Sequence, residues 1–171
     1  MKKRILLLLL IVSINAIAQK NNAIAQKKEK EPYADRKATY EYSENVNFSI
    51  FAITKKRTID RGGGNFRDII KAEKGRKFVS IIFKFKNESS ETQEIDFSKI
   101  FIKDKQGELH KIDFVVMAMK LTGTFSNLKQ KLKKKKKKII ATEFRPSFDE
   151  NEIIDELVVD GKLIKLEYIS R

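Results

Sequence analysis

The stretch GRKFVSIIFKFKN, from Gly75 to Asn87, decides the fold of this chain. Over Val79–Phe85 every second residue is apolar, and the residues between them include a serine and a lysine. A period of two places apolar side chains on one face of a strand and polar side chains on the other. The pattern therefore predicts a half-buried β-strand over Lys77–Lys86, and Asn87 with the serines that follow predicts a turn.

Further short segments rich in β-branched and aromatic residues flank this strand. They lie at 46–52, 93–97, 99–103, 108–113, 139–144, 153–159 and 163–169. Asp104-Lys105-Gln106-Gly107 predicts a turn, and Asp160-Gly161 predicts a two-residue hairpin. Apolar residues at roughly helical spacing in Asp113–Leu121 indicate a helical turn. About eight strands (a range of ~7–9) with short connections favour an all-β, antiparallel sandwich over a parallel sheet.

The motifs of these strands resemble those of telokin-like, immunoglobulin-like domains of unknown function in exported bacterial proteins. The shared pattern is a glycine (Gly75), a strand of alternating apolar residues that ends in Asn87, and a strand that ends in an Asp-x-x-Gly turn (Asp104–Gly107). The resemblance covers about Ala38–Ile169. It implies an immunoglobulin-like β-sandwich and an interaction or adhesion module, and it offers no catalytic residues to carry over.

The first 18 residues have the three parts of a cleavable secretory signal peptide. Three cations at positions 2–4 precede an apolar run at 5–12, and Ala16-Ile17-Ala18 supplies small residues for cleavage. The run is shorter than the ~20 residues that a membrane-spanning helix needs. Because the segment recurs as Ala23-Ile24-Ala25, cleavage is predicted after Ala18 or Ala25. We therefore expect an extracytoplasmic protein, either periplasmic or secreted.

The exported part is expected to be one domain behind a short lead-in. Residues 19–36 are polar and show no periodicity, which predicts a disordered linker, and residues 37–171 then form the domain. The chain contains no cysteine. Disulfides, thiolate metal sites and a lipid-modified cysteine are thereby excluded, so an untethered product is expected.

Eight lysines within ten residues form the most basic segment of the chain, which we call the lysine run. They are Lys129, Lys131, Lys133, Lys134, Lys135, Lys136, Lys137 and Lys138. The formal net charge of +14 falls to +11 without the three cations of the signal peptide, and to +3 without these eight lysines as well. So dense a patch attracts lipid phosphates or acidic glycans. Nucleic acid is not an expected partner, because the protein is exported and no aromatic residues interleave with the lysines.

Three interpretations of the lysine run stay open at this point. It forms a solvated loop or a charge-protected edge strand, or it contacts a polyanion, or it pairs with an acidic segment downstream in the same or another chain. The acidic segment comprises Asp149, Glu150, Glu152, Asp155 and Glu156.

Other candidate sites have simpler interpretations. The segment from Arg61 to Arg67 contains three glycines that could form an anion nest, but it matches no nucleotide-binding motif and predicts a flexible loop. His110, the only histidine, is expected to be a half-exposed strand residue rather than a general base. Asp149–Glu152 lacks the spacing of a calcium loop and predicts a charged turn. Paired carboxylates remain open, because such partners meet in space rather than in sequence.

The sequence thus predicts an exported, non-enzymatic binding module of the bacterial cell envelope with no cofactor. Its expected partner is an envelope protein, with peripheral binding of an anionic lipid or glycan surface through the lysine run as the alternative. A small envelope hydrolase has the least support.

Overall fold

A computed structural model describes residues 32–60, 68–117 and 128–169. These residues contain fourteen strands and a 3₁₀ turn at Phe97–Lys99. The strands are β1 (Tyr33–Ala34), β2 (Tyr40–Ser43), β3 (Val46–Lys56), β4 (Thr58–Asp60), β5 (Ile69–Lys71), β6 (Arg76–Asn87), β7 (Gln93–Asp96), β8 (Ile100–Lys103), β9 (Leu109–Met117), β10 (Lys129–Leu132), β11 (Lys137–Asp149), β12 (Glu156–Val159), β13 (Lys162–Lys165) and β14 (Tyr168–Ile169). Within these ranges, no helix has the length and apolar character required to span a bilayer.

Eight of the strands form one sheet in the order β13-β12-β8-β9-β11-β6-β3-β2. The remaining described strands form three pairs, β1 with β14, β7 with β10 and β4 with β5. All of these pairings are antiparallel. The prediction of an all-β, antiparallel architecture is therefore confirmed.

β6 lies inside the sheet between β3 and β11 and contains the predicted strand Lys77–Lys86. Its alternation is the one expected, because Ile81, Phe83 and Phe85 are buried whereas Lys84 is exposed. Burying side chains of this size stabilises the fold by about 1.5–3 kcal/mol each. The inner face of β6 therefore forms the centre of the core, and its outer face carries Lys84 and Lys86 beside the half-buried Ser80 and Ile82.

Aromatic rings link two layers of β-structure across the core. Phe48 on β3 lies 5.7 Å from both Phe83 and Phe85, measured between ring centroids. Phe97, in the 3₁₀ turn that leads into β8, meets Phe85 edge-on at 5.7 Å. The same core contains buried residues of β8, β10 and β12, such as Ile102. The central strands and this second group of strands thus enclose one apolar interior, as a sandwich does.

The two predicted turns are present. Asp104 Oδ1 accepts hydrogen bonds from the amides of Gln106 and Glu108, and Gly107 has a φ of +87°. The residues of the second turn, Asp160 and Gly161, have φ values of +48° and +80° and join β12 to β13. Both turns place glycine where a left-handed backbone is needed.

The helical turn predicted at Asp113–Leu121 is wrong for the part that the structure describes, because residues 113–117 belong to β9. Glu143 on β11 pairs with Phe114, while the next residue pairs with Ile112, so Asp113 is the extra residue of a β-bulge. Because of the bulge, the buried residues Ile112 and Val115 are spaced three residues apart instead of two. A strand with such an insertion imitates helical spacing. Residues 118–121 lie outside the described residues.

The domain begins before residue 37, where the lead-in was predicted to end. Tyr33–Ala34 forms β1, Ala34 is buried, and the Asp35 amide donates a hydrogen bond to the Glu167 carbonyl at 2.8 Å. Pairing with the distant β14 creates this strand, and a local pattern does not reveal it. The predicted signal peptide at 1–18, the lead-in at 19–31 and the glycine loop at 61–67 lie outside the described residues.

Candidate anion-binding surface

The lysine run forms a strand, a turn and the start of a second strand. On β10, Lys129 and Lys131 are exposed while Gln130 and Leu132 are buried, and the strand pairs with β7 alone among the described strands. Residues 133–136 form the turn, and β11 starts at Lys137. The predicted edge strand is thus found at β10. We call residues 133–136 the lysine turn.

Asn87 fixes the lysine turn, and its side chain is almost fully buried at 1% exposure. Its Nδ2 donates to the carbonyls of Leu132, at 3.0 Å, and Glu91, at 2.7 Å. Its backbone amide donates to the Lys136 carbonyl at 2.9 Å. The sequence indicated only that Asn87 ends a strand. Its contacts reach 45 residues along the chain, which no local pattern shows.

Most of the positive charge at this turn is not compensated. Six lysines of the run have no carboxylate within 4.0 Å among the described residues: Lys131, Lys133, Lys134, Lys135, Lys136 and Lys137. Lys129 lies 3.5 Å from a carboxylate oxygen of Glu94, and Lys138 Nζ donates to Gln130 Oε1 at 3.1 Å. Clustered cations without carboxylate partners create a positive electrostatic potential at the surface, so the turn attracts anions.

The acidic segment does not neutralise this charge within the molecule. The lysine turn precedes β11, whereas Asp149 ends this 13-residue strand. At ~3.3 Å per residue, the two ends are roughly 40 Å apart, several Debye lengths at physiological salt. Glu150 lies 3.8 Å from Lys77, and Glu156 lies 2.9 Å from Lys103. Two of the five acids therefore pair with cations of other strands.

Asp149–Glu152 is the charged turn that the sequence predicted. Asp149 Oδ1 accepts a hydrogen bond from the Asn151 amide at 2.8 Å. Glu152 is buried and accepts one from the Lys105 amide at 3.1 Å. These carboxylates serve to tie loops together at the end of β11.

A cleft of about 250 Å³ continues the basic surface on the outer face of the large sheet. Asn47, Lys86 and Lys137 are direct partners on β3, β6 and β11, so they form one row across the sheet. Ser49 and Lys84 are partners in the next row. All five residues line the cleft. Lys137 thus belongs both to the lysine run and to this cleft.

Two more charged residues line the cleft, Arg36 and Glu88. The Arg36 guanidinium lies 4.7 Å from the ring centroid of Phe51, a bulged residue of β3. The carboxylate of Glu88 forms an ion pair with Lys86. Hydrogen bonding by the Lys86 ammonium holds the pKa of Glu88 below its ordinary value. The lining therefore contains four cations and one ionised carboxylate.

His110 is buried, at 5% exposure, and is not the half-exposed residue predicted. Its Nε2 lies 2.7 Å from Asp104 Oδ2, and its ring packs 4.4 Å from Phe148. Although burial raises the pKa of Asp104, hydrogen bonds from His110 and from the Glu108 amide outweigh it and hold that pKa below the ordinary value. His110 lies at the start of β9. The sequence signal that was missed is the combination of an acidic residue before the turn glycine and a histidine after it.

The His110 pair has the geometry of a structural clasp. Glu108 also places a carboxylate oxygen near it, and the three ligand atoms lie within 4.8 Å of one another. Both oxygens of Asp104 already accept hydrogen bonds, however, from Gln106, Glu108 and His110. Among the described residues, His110 Nδ1 has no hydrogen-bond partner, so no serine extends the pair to a catalytic triad.

Comparison with known proteins gives the fold and no function. No family model and no curated protein matches the chain. A solved conserved hypothetical protein from Bacillus anthracis is similar, with a TM-score of 0.52 and 14% identity over 85% of this chain and 100% of that one. An uncharacterized β-sandwich protein from Clostridium difficile 630 has a TM-score of 0.48 and 13% identity over 81% and 94% of the two chains.

Proposed function

We propose that this protein is an exported, non-enzymatic binding module that holds an anionic glycan of the cell envelope through the lysine turn. The signal-like N-terminus supports the location, and the strand motifs support an immunoglobulin-like relationship. The observation that carries the proposal is the lysine turn itself, because Asn87 fixes its backbone and its ammonium groups have no carboxylate partner among the described residues.

An ordered array of cations binds a polyanion better than a flexible one. Lysines on a backbone that a turn fixes lose less backbone freedom on binding than lysines of a flexible segment, so less of the interaction free energy is spent on ordering. Each lysine close to a densely anionic surface contributes about 1 kcal/mol, and salt screens the attraction. Affinity should therefore be moderate and strongly dependent on ionic strength.

A glycan fits this surface better than a lipid bilayer. The lysine turn offers no apolar side chain at residues 133–136 that could enter a membrane. The basic residues instead continue from the turn into a cleft on the sheet, where Lys86 and Lys84 follow Lys137. A linear polymer can follow this path, whereas a flat bilayer reaches mainly the protruding turn.

The test compares two variants of equal net charge. Lys133, Lys134 and Lys136 are replaced by Gln in the first, and three exposed lysines elsewhere, Lys71, Lys111 and Lys165, in the second. Binding to immobilised dextran sulfate and to neutral dextran is measured from low to high salt. The turn variant should lose about tenfold or more in affinity for dextran sulfate at low salt, and the control about twofold or less.

Two results would contradict the proposal. Equal losses in both variants would show that net charge alone attracts the polymer. Retention on phosphatidylglycerol vesicles, with none on dextran sulfate at the same salt concentration, would assign the turn to a membrane instead.

A further inference from the structure

We infer that the cleft on the outer face of the sheet is a site for one phosphate monoester group, with Glu88 as a built-in competitor. The cleft is lined by Arg36, Asn47, Ser49, Lys84, Lys86 and Lys137. The inference rests on the proposed anion-binding function, because Lys137 joins the cleft to the lysine run. It adds a chemical preference that the turn alone does not give.

Three lysines of the cleft lie close together on neighbouring strand positions. Lys86 and Lys137 lie directly opposite each other on β6 and β11. Like charges at such positions repel each other, since their Cβ atoms are only about 4.5–5.5 Å apart. Lys84 lies two residues along β6 and faces the same side, roughly 7 Å away. An anion between these lysines would relieve the repulsion.

Three cations of the cleft have no carboxylate partner among the described residues. Arg36, Lys84 and Lys137 have no carboxylate within 4.0 Å among the described residues. Arg36 is positioned by its contact with the Phe51 ring. Guanidinium and ammonium groups form their strongest hydrogen bonds with ionised oxygens. The cleft thus presents three cations that no carboxylate of the described residues neutralises.

The net charge of the cleft and its hydrogen-bond donors favour a phosphate monoester over a carboxylate. With four cations and Glu88, the lining has a net formal charge of three positive units, which suits a dianion better than a monoanion. Donors come from Asn47 and Ser49 as well as from the cations, so they outnumber the two oxygens of a carboxylate. A phosphate monoester carries about −1.5 to −2 charge and three acceptor oxygens. Such groups occur on phosphorylated glycans.

Glu88 already occupies part of this site. Its carboxylate forms an ion pair with Lys86, and the pKa of Glu88 is held below its ordinary value, so the group stays ionised near neutral pH. An incoming phosphate must therefore compete with Glu88 for Lys86 and overcome its repulsion. Removing this charge should strengthen binding, an outcome that a damaged fold cannot produce.

The experiment titrates glycerol 3-phosphate into the exported form of the protein at constant ionic strength and follows backbone amides by ¹H–¹⁵N NMR. Saturable shifts should cluster at Asn47, Ser49, Lys84 and Lys137. Lys84→Gln should weaken binding about tenfold, since one hydrogen bond to a charged group is lost. Lys111→Gln removes an exposed lysine of β9 and should change affinity less than about twofold. Glu88→Gln should tighten binding about threefold.

The contrary results are equally specific. Equal effects of Lys84→Gln and Lys111→Gln, or shifts scattered over the whole surface, would overturn the site. Equal affinity for acetate would overturn the preference for phosphate, and unchanged affinity in Glu88→Gln would overturn the competitor. A parallel arm compares phosphomannan with phosphatidic acid vesicles. Binding only to the vesicles contradicts the glycan proposal and leaves the phosphate site standing, so the two hypotheses fail separately.

Discussion

The side-chain amide of Asn87 connects the turn that follows β6 with the end of β10, 45 residues further along the chain. It donates to carbonyls at Glu91 and Leu132, while its own carbonyl oxygen accepts from the Ser89 amide at 2.8 Å. Buried carbonyls without a donor lose the hydrogen bonds that they would form with water in the unfolded chain. One residue at the end of β6 therefore decides whether the lysine turn has a defined shape.

Replacing Asn87 by Ala should destabilise the fold by about 2–3 kcal/mol, because the buried carbonyl of Leu132 and the part-buried carbonyl of Glu91 both lose their donor. Urea unfolding measures this change, and hydrogen exchange at the Lys135 and Lys136 amides should accelerate. Asn45→Ala, at an exposed neighbouring position, is the control and should cost about 0.5 kcal/mol or less. If both variants unfold at the same urea concentration, Asn87 does not anchor the turn.

Asp104 should make stability depend on pH in the acid range. Its pKa is lower in the folded protein than in the unfolded chain, so it stabilises the fold above the unfolded pKa of about 3.9. This contribution disappears as the pH falls through the folded pKa. Asp104→Asn should thus be less stable than the wild type at pH 7, and the difference should shrink below about pH 4.

Urea midpoints between pH 2 and pH 7 test this dependence. Asp68→Asn, which removes an exposed carboxylate, serves as the matched control and should follow the wild type throughout. A stability difference between Asp104→Asn and the wild type that stays constant over the whole range would show that the carboxylate charge is irrelevant to the clasp.

At the scale of elements, the sequence predicts strands and turns that have a clear local pattern, whereas the short strands β2, β4 and β5 were not among the eight or so that it predicts. β6 and the two hairpin turns have such a pattern, because local alternation and glycine positions specify them. β9 was partly misassigned because Asp113 interrupts the alternation. β1 and the shape of the lysine turn depend on partners far along the chain, at β14 and Asn87. The lysines of the candidate surface were predictable, whereas the cleft, formed by three strands, was not.

The β12–β13 hairpin tests the local rule directly. Gly161 has a φ of +80°, and an added Cβ would meet no atom within 4 Å, so the cost of Gly161→Ala is backbone strain alone. That strain should be about 1–2 kcal/mol. Asp160→Asn keeps a residue that tolerates a left-handed backbone and should be nearly neutral. Equal thermal unfolding temperatures for Gly161→Ala and the wild type would contradict the assignment of this turn.

At the scale of the whole molecule, β11 separates the positively charged lysine turn from the acidic segment. The lysine turn lies before its first residue, and the acidic segment begins at its last, Asp149. Because Glu150 and Glu156 pair with Lys77 and Lys103 instead, the acidic segment leaves the positive potential at the turn uncompensated. Oriented charge of this kind affects association rates and their salt dependence more than it affects the fold.

The proposed glycan partner would be met only after export, and the N-terminus of protein recovered outside the cytoplasm tests the proposed export. Edman sequencing should begin at Gln19 or Gln26, following cleavage after Ala18 or Ala25. Either product keeps β1, which starts at Tyr33, so the domain and its basic surface are the same in both. Replacing Ala16 and Ala18 by Lys should shift cleavage to Ala25, whereas the same change at Ala23 and Ala25 should leave Gln19 first. An intact Met1 on protein recovered outside the cytoplasm would contradict the predicted signal peptide, and with it the access to envelope glycans on which the proposed function depends.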